Sequence, residues 1–452
     1  MPQSPLHHRY RKLRHPGVHP GEPGNQGVRL LLLRRAGAGV NLLLIRNVRV
    51  VDAFGEWRGD VAIEDGTFAA LGRNLSWPGA LVLDGEGRTL LPGFVDLHAH
   101  FRDPGFPEKE DLRTGSWAAA HGGFTAVSLM ANTSPPCDSP EVARYILEKA
   151  RALGLVEIYP VGAITRGLRG EELADLQAMA PFVWAYSDDG KGVERADLMA
   201  QALRFSASCG KKILSHPEFS GLERDLAEEL MVARDLRLAQ ATGGFLHLQH
   251  LSSPGSLELV RRAKAEGVFV TAEVTPHHLC LSREEWGDYP VNPPLPAEHV
   301  RLALAEAFLR GEFDAVATDH APHTPQDKTQ GAPGISGIET AFSLLFTRFV
   351  REGRMSLGEL SRYLSLGPAR IMGLRKGLVR VGYDGDAVLI EEDESFTVDE
   401  SFFLSKSKNT PILGTRLWGK IWATVHRGVV IYCEGRVLGR DYDDHRQVVR
   451  AG

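Results

Sequence analysis

Several side chains in this sequence have the types and settings of metal ligands: His98, His100, His216, His250, Asp319 and one of the adjacent pair Asp188 and Asp189. His98 and His100 form a His-x-His pair that closes an apolar run, Gly93–Leu97. Alternate residues of a strand face the same side, so both imidazoles can grip one ion. Imidazole nitrogen and carboxylate oxygen suit zinc, whereas calcium and magnesium want shells of oxygen. A carboxylate between two such ions can bridge them. Two metals lower the pKa of the water they share, which gives a nucleophile at neutral pH. A single strand-end histidine is ordinarily a packed or hydrogen-bonded residue. Six candidates at the ends of five such runs make a metal centre the better account. His247, His277, His278, His299 and His320 keep the ordinary packed reading.

The elements that must position these residues are short. Eight apolar runs read as strands: Gly93–Leu97, Ala126–Met130, Glu157–Val161, Phe182–Tyr186, Lys212–Ser215, Phe245–Gln249, Phe269–Val274 and Ala315–Thr318. Amphipathic stretches such as Glu141–Ala152, Leu222–Gln240, Leu257–Ala265 and His299–Arg310 lie between them. Strand then helix, repeated eight times, predicts a (β/α)8 TIM barrel, whose active site sits where the strands end. The candidate ligands close runs one, four, five, six and eight. More β-like patterning precedes the barrel (Leu42–Val51, Asp60–Glu64, Leu81–Leu83) and follows it (Ala387–Ile390, Ile421–Arg427, Val429–Cys433).

A chain of 452 residues fits one large barrel plus a smaller module. The formal net charge of -5 gives no electrostatic case for nucleic acid or an anionic membrane as partner. Cys137, Cys209, Cys280 and Cys433 are far apart and form no Cys-x-x-Cys pair. That argues against a disulfide framework and a thiolate metal site, and it fits a reducing cytoplasm. No run is long enough for a spanning helix; Leu30–Leu33 is broken at once by Arg34 and Arg35. Residues 1–40 carry His7, His8, Arg9, Arg11, Lys12, Arg14, His15 and His19 among prolines and glycines, with Glu22 the only acid. They are expected to be a disordered extension, dispensable for activity.

Seven stretches together carry a resemblance: LPGFVDLHAHFRDPG at Leu91–Gly105, GGFTAVSLMANTSP at Gly122–Pro135, YSDDG at Tyr186–Gly190, VTPHHL at Val274–Leu279, VNPPL at Val291–Leu295, ATDHAPH at Ala317–His323 and SKSKNTP at Ser405–Pro411. The sequence resembles the amidohydrolase superfamily, and within it the longer bacterial dihydroorotases, from about Leu42 to about Val437. The resemblance implies that the two β-rich ends pair into a small β-sandwich domain. The expected division is then 1–40 extension, 41–90 and 371–440 the small domain, 91–370 the barrel, and 441–452 a tail. It implies two zinc ions, with His98, His100 and Asp319 on the first and His216 and His250 on the second. Asp189 is preferred to Asp188 as the bridge, because it falls where related cyclic amidases place a carbamylated lysine.

The implied reaction is the reversible cyclisation of N-carbamoyl-L-aspartate to dihydroorotate, by a zinc-bridging hydroxide with Asp319 as proton shuttle. Arg102, Asn132 and His323 would take the substrate carboxylate, with His100 beside them. Asn292 and the backbone around Pro333 and Gly334 would take the ring amide edges. A bidentate guanidinium is the best-shaped partner for a carboxylate; the competing account of Arg102 is a surface salt bridge with Asp103 or Glu108. A homodimer and an association with aspartate transcarbamoylase stay open. The sequence departs from the family pattern at Ala131, usually proline, and the segments Pro217–Leu226, Leu281–Tyr289 and Thr324–Ala332 look short. A hydantoinase or allantoinase would carry lysine at the bridge and lack Arg102. A metal-free partner of aspartate transcarbamoylase would have lost ligands.

Overall fold

The described residues open with five strands: β1 (Leu42–Asp52), β2 (Gly55–Glu64), β3 (Thr67–Gly72), β4 (Leu81–Asp84) and β5 (Thr89–Pro92). The structure, a computed structural model, describes residues 42–438, so the expected N-terminal extension and C-terminal tail lie outside the described residues. β2 and β3 form a hairpin because Asp65 and Gly66 both take positive φ, 47° and 80°. That backbone matches the natural twist of two antiparallel strands. Sequence patterning overlooked β3 and β5, which are short and carry no clean alternation.

Eight strands follow: β6 (Phe94–Ala99), β7 (Phe124–Leu129), β8 (Glu157–Gly162), β9 (Ala185–Tyr186), β10 (Lys212–Ser215), β11 (Leu246–Leu248), β12 (Val270–Val274) and β13 (Ala315–Val316). They pair in chain order, all parallel. The ring closes where Ala99 bridges His320. This is the expected (β/α)8 barrel. Four strands, β9, β11, β12 and β13, are shorter than their apolar runs, β9 and β13 for a visible reason. Phe182 and Val183 donate to the Met179 carbonyl and finish a helical turn instead of extending β9. Thr318 donates its N–H to the Asp96 side chain, which ends the ladder after β13.

Helices cover the barrel. The helix Pro140–Leu153 is typical: Pro140 opens it, where its missing N–H costs nothing, and Gly154 at φ 61° ends it. Its buried residues, Ala143, Ile146 and Ala150, recur at helical spacing.

Four more strands return to the first five: β14 (Ala387–Thr397), β15 (Arg416–His426), β16 (Val429–Cys433) and β17 (Arg436–Val437). The small domain is built by both ends of the chain. Its strands form one hydrogen-bonded path, β17-β16-β15-β14-β5-β1-β2-β3, with β4 alongside β1. The seam is antiparallel, Ala387 opposite Pro92 through Ile390 opposite Thr89. A buried ion cluster ties this sheet to the barrel. Lys376 Nζ lies 2.5 Å from Asp386, 3.2 Å from Asp384 and 3.1 Å from Glu157 at the start of β8. His426 on β15 reaches the same Asp386 at 3.2 Å. Among the described residues no helix is long and apolar enough to cross a membrane.

Candidate metal centre

Every candidate ligand lies at a C-terminal strand end, and six of them converge. His98 is on β6 and His100 just past it; Asp189, His216, His250 and Asp319 follow β9, β10, β11 and β13. All six are buried. Asp96 joins the first and last of these strand ends. Its carboxylate accepts the Thr318 N–H at 2.9 Å and the Thr318 hydroxyl at 2.5 Å, which fixes Asp319 beside the His-x-His pair. His250 and Asp319 hold positive φ, 33° and 46°, as does Arg102 at 58°. Such backbone costs about 1–3 kcal/mol in a residue with a side chain and clusters at functional sites. Here it turns each side chain back over the barrel mouth.

Asp189 stands between all four imidazoles. Its Oδ1 is 3.2 Å from His98 Nε2, 3.4 Å from His216 Nδ1 and 3.8 Å from His250 Nε2, and its Oδ2 is 3.5 Å from His100 Nε2. Asp319 reaches only one side, with Oδ1 3.0 Å from His100 Nε2 and 3.4 Å from His98 Nε2. His216 Nδ1 and His250 Nε2 face each other at 2.8 Å. Asp188 faces away, accepting the N–H groups of Ile164 and Thr165 at 2.7 and 2.9 Å and also the Thr165 hydroxyl.

The electrostatics show a demand for positive charge. Burial opposes protonation of His98, yet Asp189 and Asp319 push its pKa well above normal. Burial likewise opposes charge on His216, but Asp189 and Glu218 raise it to about 9. Burial lowers His100 and His250, the latter helped by His216. Asp319 and Asp189 are held below the usual carboxylate range, burial being outweighed by His98 and its neighbours. His98 Nε2 and Asp189 Oδ1 are buried without a hydrogen-bond partner among the described residues. Two triads, His98–His100–Asp319 and His98–Asp189–His250, each have ligand atoms within 4.8 Å of one another. This donor set fits a divalent borderline metal such as zinc, with Asp189 as the one carboxylate near both halves.

The other expected residues ring this centre. Asn132 Oδ1 is 2.9 Å from His100 Nδ1, and its amide nitrogen is 3.4 Å from Asp189 Oδ2. Arg102 donates from Nε to the Pro322 carbonyl at 3.3 Å, and its Nη2 lies 3.2 Å from His323 Nε2. It pairs with neither Asp103, which binds Lys149 at 2.7 Å and Tyr145 at 3.0 Å, nor Glu108. Burial lowers Arg102 to about 10, and it makes no direct ion pair among the described residues. His323, lowered to about 4 by burial and then by Arg102, is neutral at physiological pH. Asn292 donates to Glu218 Oε2 at 2.9 Å and lies 3.4 Å from His216 Nε2. Gly334 uses both backbone groups internally: its N–H goes to Pro290, and its carbonyl accepts from Lys328 and Asn409. Pro333 reaches His323 through its backbone.

Three residues escaped the sequence reading. Asn409, within SKSKNTP, accepts the His323 N–H at 3.0 Å and the Ser336 hydroxyl at 2.7 Å. It also donates to the carbonyls of Ala321 and Gly334 at 3.1 and 2.9 Å. The late chain thus clamps two rim segments. Glu218, on the Pro217–Leu226 segment, lies 3.1 Å from His216 Nε2. Glu273 lies behind His98, with Oε1 3.1 Å from its Nδ1. The signal for Glu273 was present as an acid inside the apolar run Phe269–Val274.

A parallel barrel with histidines and aspartates gathered at its mouth, joined to a sheet made by the N- and C-terminal parts of the described chain, is laid out as a metal-dependent hydrolase. The dihydro-orotase-like family profile matches residues 87–247. The dihydroorotase of Clostridium botulinum (strain Eklund 17B / Type B) is 41% identical over 395 residues, covering 86% of this chain and 99% of that protein. That of Aquifex aeolicus is 36% identical, with 86% and 99% covered. Among solved structures, the L-hydantoinase of Arthrobacter aurescens superposes with a TM-score of 0.80 at 25% identity, over 88% of this chain and 97% of that one. The chain belongs to the dihydroorotase family.

Proposed function

We propose that this chain catalyses the reversible cyclisation of N-carbamoyl-L-aspartate to dihydroorotate, using two zinc ions held by His98, His100, Asp189, His216, His250 and Asp319. The observation that carries the reading is Asp189 within 3.8 Å of all four histidines, with Arg102 on the same rim making no ion pair among the described residues. Zinc bound there supplies an activated water and polarises the ring carbonyl. Asp319 takes the proton released by the water and delivers it to the leaving ring nitrogen; the reverse direction retraces the path. Arg102, with Asn132 and neutral His323, orients the substrate carboxylate. Asn292 takes a ring amide edge; the Pro333–Gly334 backbone would join it only by exchanging its bonds to Pro290, Lys328, Asn409 or His323. Four unpaired cysteines fit a reducing cytoplasm.

Hydrolysis of dihydroorotate tests this directly. Turnover should be present, vanish with a metal chelator and return with zinc. Turnover of a hydantoin in place of dihydroorotate would overturn the substrate, and full activity in metal-free protein would overturn the centre.

A further inference from the structure

His98 meets the centre through Nε2 and the barrel interior through Nδ1. Nδ1 lies 3.1 Å from Glu273 Oε1 and 3.1 Å from the Gln249 amide nitrogen. The second oxygen of Glu273, Oε2, lies 3.0 Å from His247 Nε2. His247 Nδ1 in turn lies 2.8 Å from the Thr271 hydroxyl. His98, His247, Gln249 and Glu273 have no solvent exposure. One carboxylate therefore sits between two imidazoles in a dry interior.

A neutral imidazole carries one N–H and one lone pair. To serve as a ligand, His98 must aim its lone pair through Nε2 and keep its proton on Nδ1. Its two inner neighbours disagree about this. The Gln249 amide is oriented by Ser187, whose hydroxyl donates to Gln249 Oε1 at 2.9 Å, so its nitrogen faces His98 as a donor. A donor there favours a lone pair on Nδ1 and a proton on Nε2, the wrong tautomer for a ligand. An ionised Glu273 accepts only, and it demands the proton on Nδ1. Charge-assisted hydrogen bonds are about twice as strong as neutral ones, so Glu273 prevails. His247 donates Nε2–H to the other oxygen and receives the Thr271 hydroxyl at Nδ1. His100 is held differently, its Nδ1 facing the neutral amide oxygen of Asn132 at 2.9 Å.

We propose that Glu273, held by His247, is a positioning residue that fixes the ligand tautomer of His98 and thereby sets the metal affinity of the centre. The inference rests on the metal reading above. Partners behind a metal-binding histidine commonly matter about 10–100-fold in affinity.

The experiment is competition for zinc between a chromophoric chelator and the full-length protein. Wild type is compared with Glu273→Gln, His247→Leu and His247→Gln. The zinc Kd of Glu273→Gln should rise about 10–100-fold, and that of His247→Leu by less. His247→Gln, which can still donate to Oε2, should stay near wild type. Thermal unfolding of each metal-free protein separates this from general damage. A Glu273→Gln protein that melts earlier yet binds zinc as tightly as wild type would overturn the inference. If that variant does not fold, a wild-type zinc Kd in folded His247→Leu overturns it equally. A wild-type protein that binds no zinc would instead remove the metal reading itself.

Discussion

Asp188 and Asp189 are neighbours in the chain and serve opposite sides of the barrel mouth. Asp188 is spent on the backbone of Ile164 and Thr165, whereas Asp189 faces four imidazoles. Successive strand-end side chains cannot both point inward. The two substitutions should therefore separate cleanly. Asp189→Asn should lose metal and activity. Asp188→Asn should keep its metal stoichiometry but lose about 1–3 kcal/mol of stability, the scale for a weakened set of buried hydrogen bonds. Elemental analysis beside thermal unfolding checks both, and metal loss in Asp188→Asn with metal retained in Asp189→Asn would reverse the assignment.

Asp319→Asn removes the proposed proton carrier and keeps one oxygen toward His98 and His100. kcat should fall about a hundredfold or more, the scale of positioned proton transfer. Zinc content should stay near wild type. A variant whose kcat is close to wild type would assign the proton to another group.

Arg102 is a half-buried cation without an ionic partner among the described residues, which suits a substrate anion. Arg102→Lys keeps the charge and loses the two-pronged geometry. Losing a charged hydrogen bond costs about 1.5–3 kcal/mol, so KM for dihydroorotate should rise roughly ten- to hundredfold. An unchanged KM would leave the substrate carboxylate to other residues.

Lys376 sits among Asp384, Asp386 and Glu157 where sheet meets barrel. Lys376→Met should destabilise the fold by about 3–5 kcal/mol at neutral pH, because it leaves buried carboxylates unpaired. Burial would raise Asp386, but Lys376 and His426 hold it well below its ordinary pKa. Its contribution is therefore present above the unfolded value of about 3.9 and is lost as pH falls through the lower folded one. The gap between wild type and variant should narrow in acid. Thermal unfolding of both proteins across the acidic range measures this, and a gap that widens would contradict it.

The six candidate ligands were legible because barrel chemistry falls at strand ends, and strand ends can be counted from apolar runs. Their orientation was not. Asp188 and Asp189 are the same residue type one step apart; the family resemblance favoured Asp189, but the amides of Ile164 and Thr165 that turn Asp188 away lie far off in the sequence. His247 has an ordinary packed setting in sequence, and nothing local says that the atom behind it is Glu273. Asn409 lies far along the chain from His323 and Gly334, so its fourfold clamp depends on tertiary placement. Strand β5 was hidden for a related reason: its partner β14 comes after the whole barrel.

That seam sets an order of assembly. Pro92 and Ala387 pair, yet roughly 300 residues are made between them. At about 5–20 residues per second, synthesis leaves the β5 edge waiting for roughly 15–60 s. An unpaired edge is a template for the wrong neighbour, on the same ribosome or the next. The barrel can close during that wait, since all its strands lie between β5 and β14. Strands β14 to β17 therefore start no new body; they complete the sheet that β1 to β5 left open.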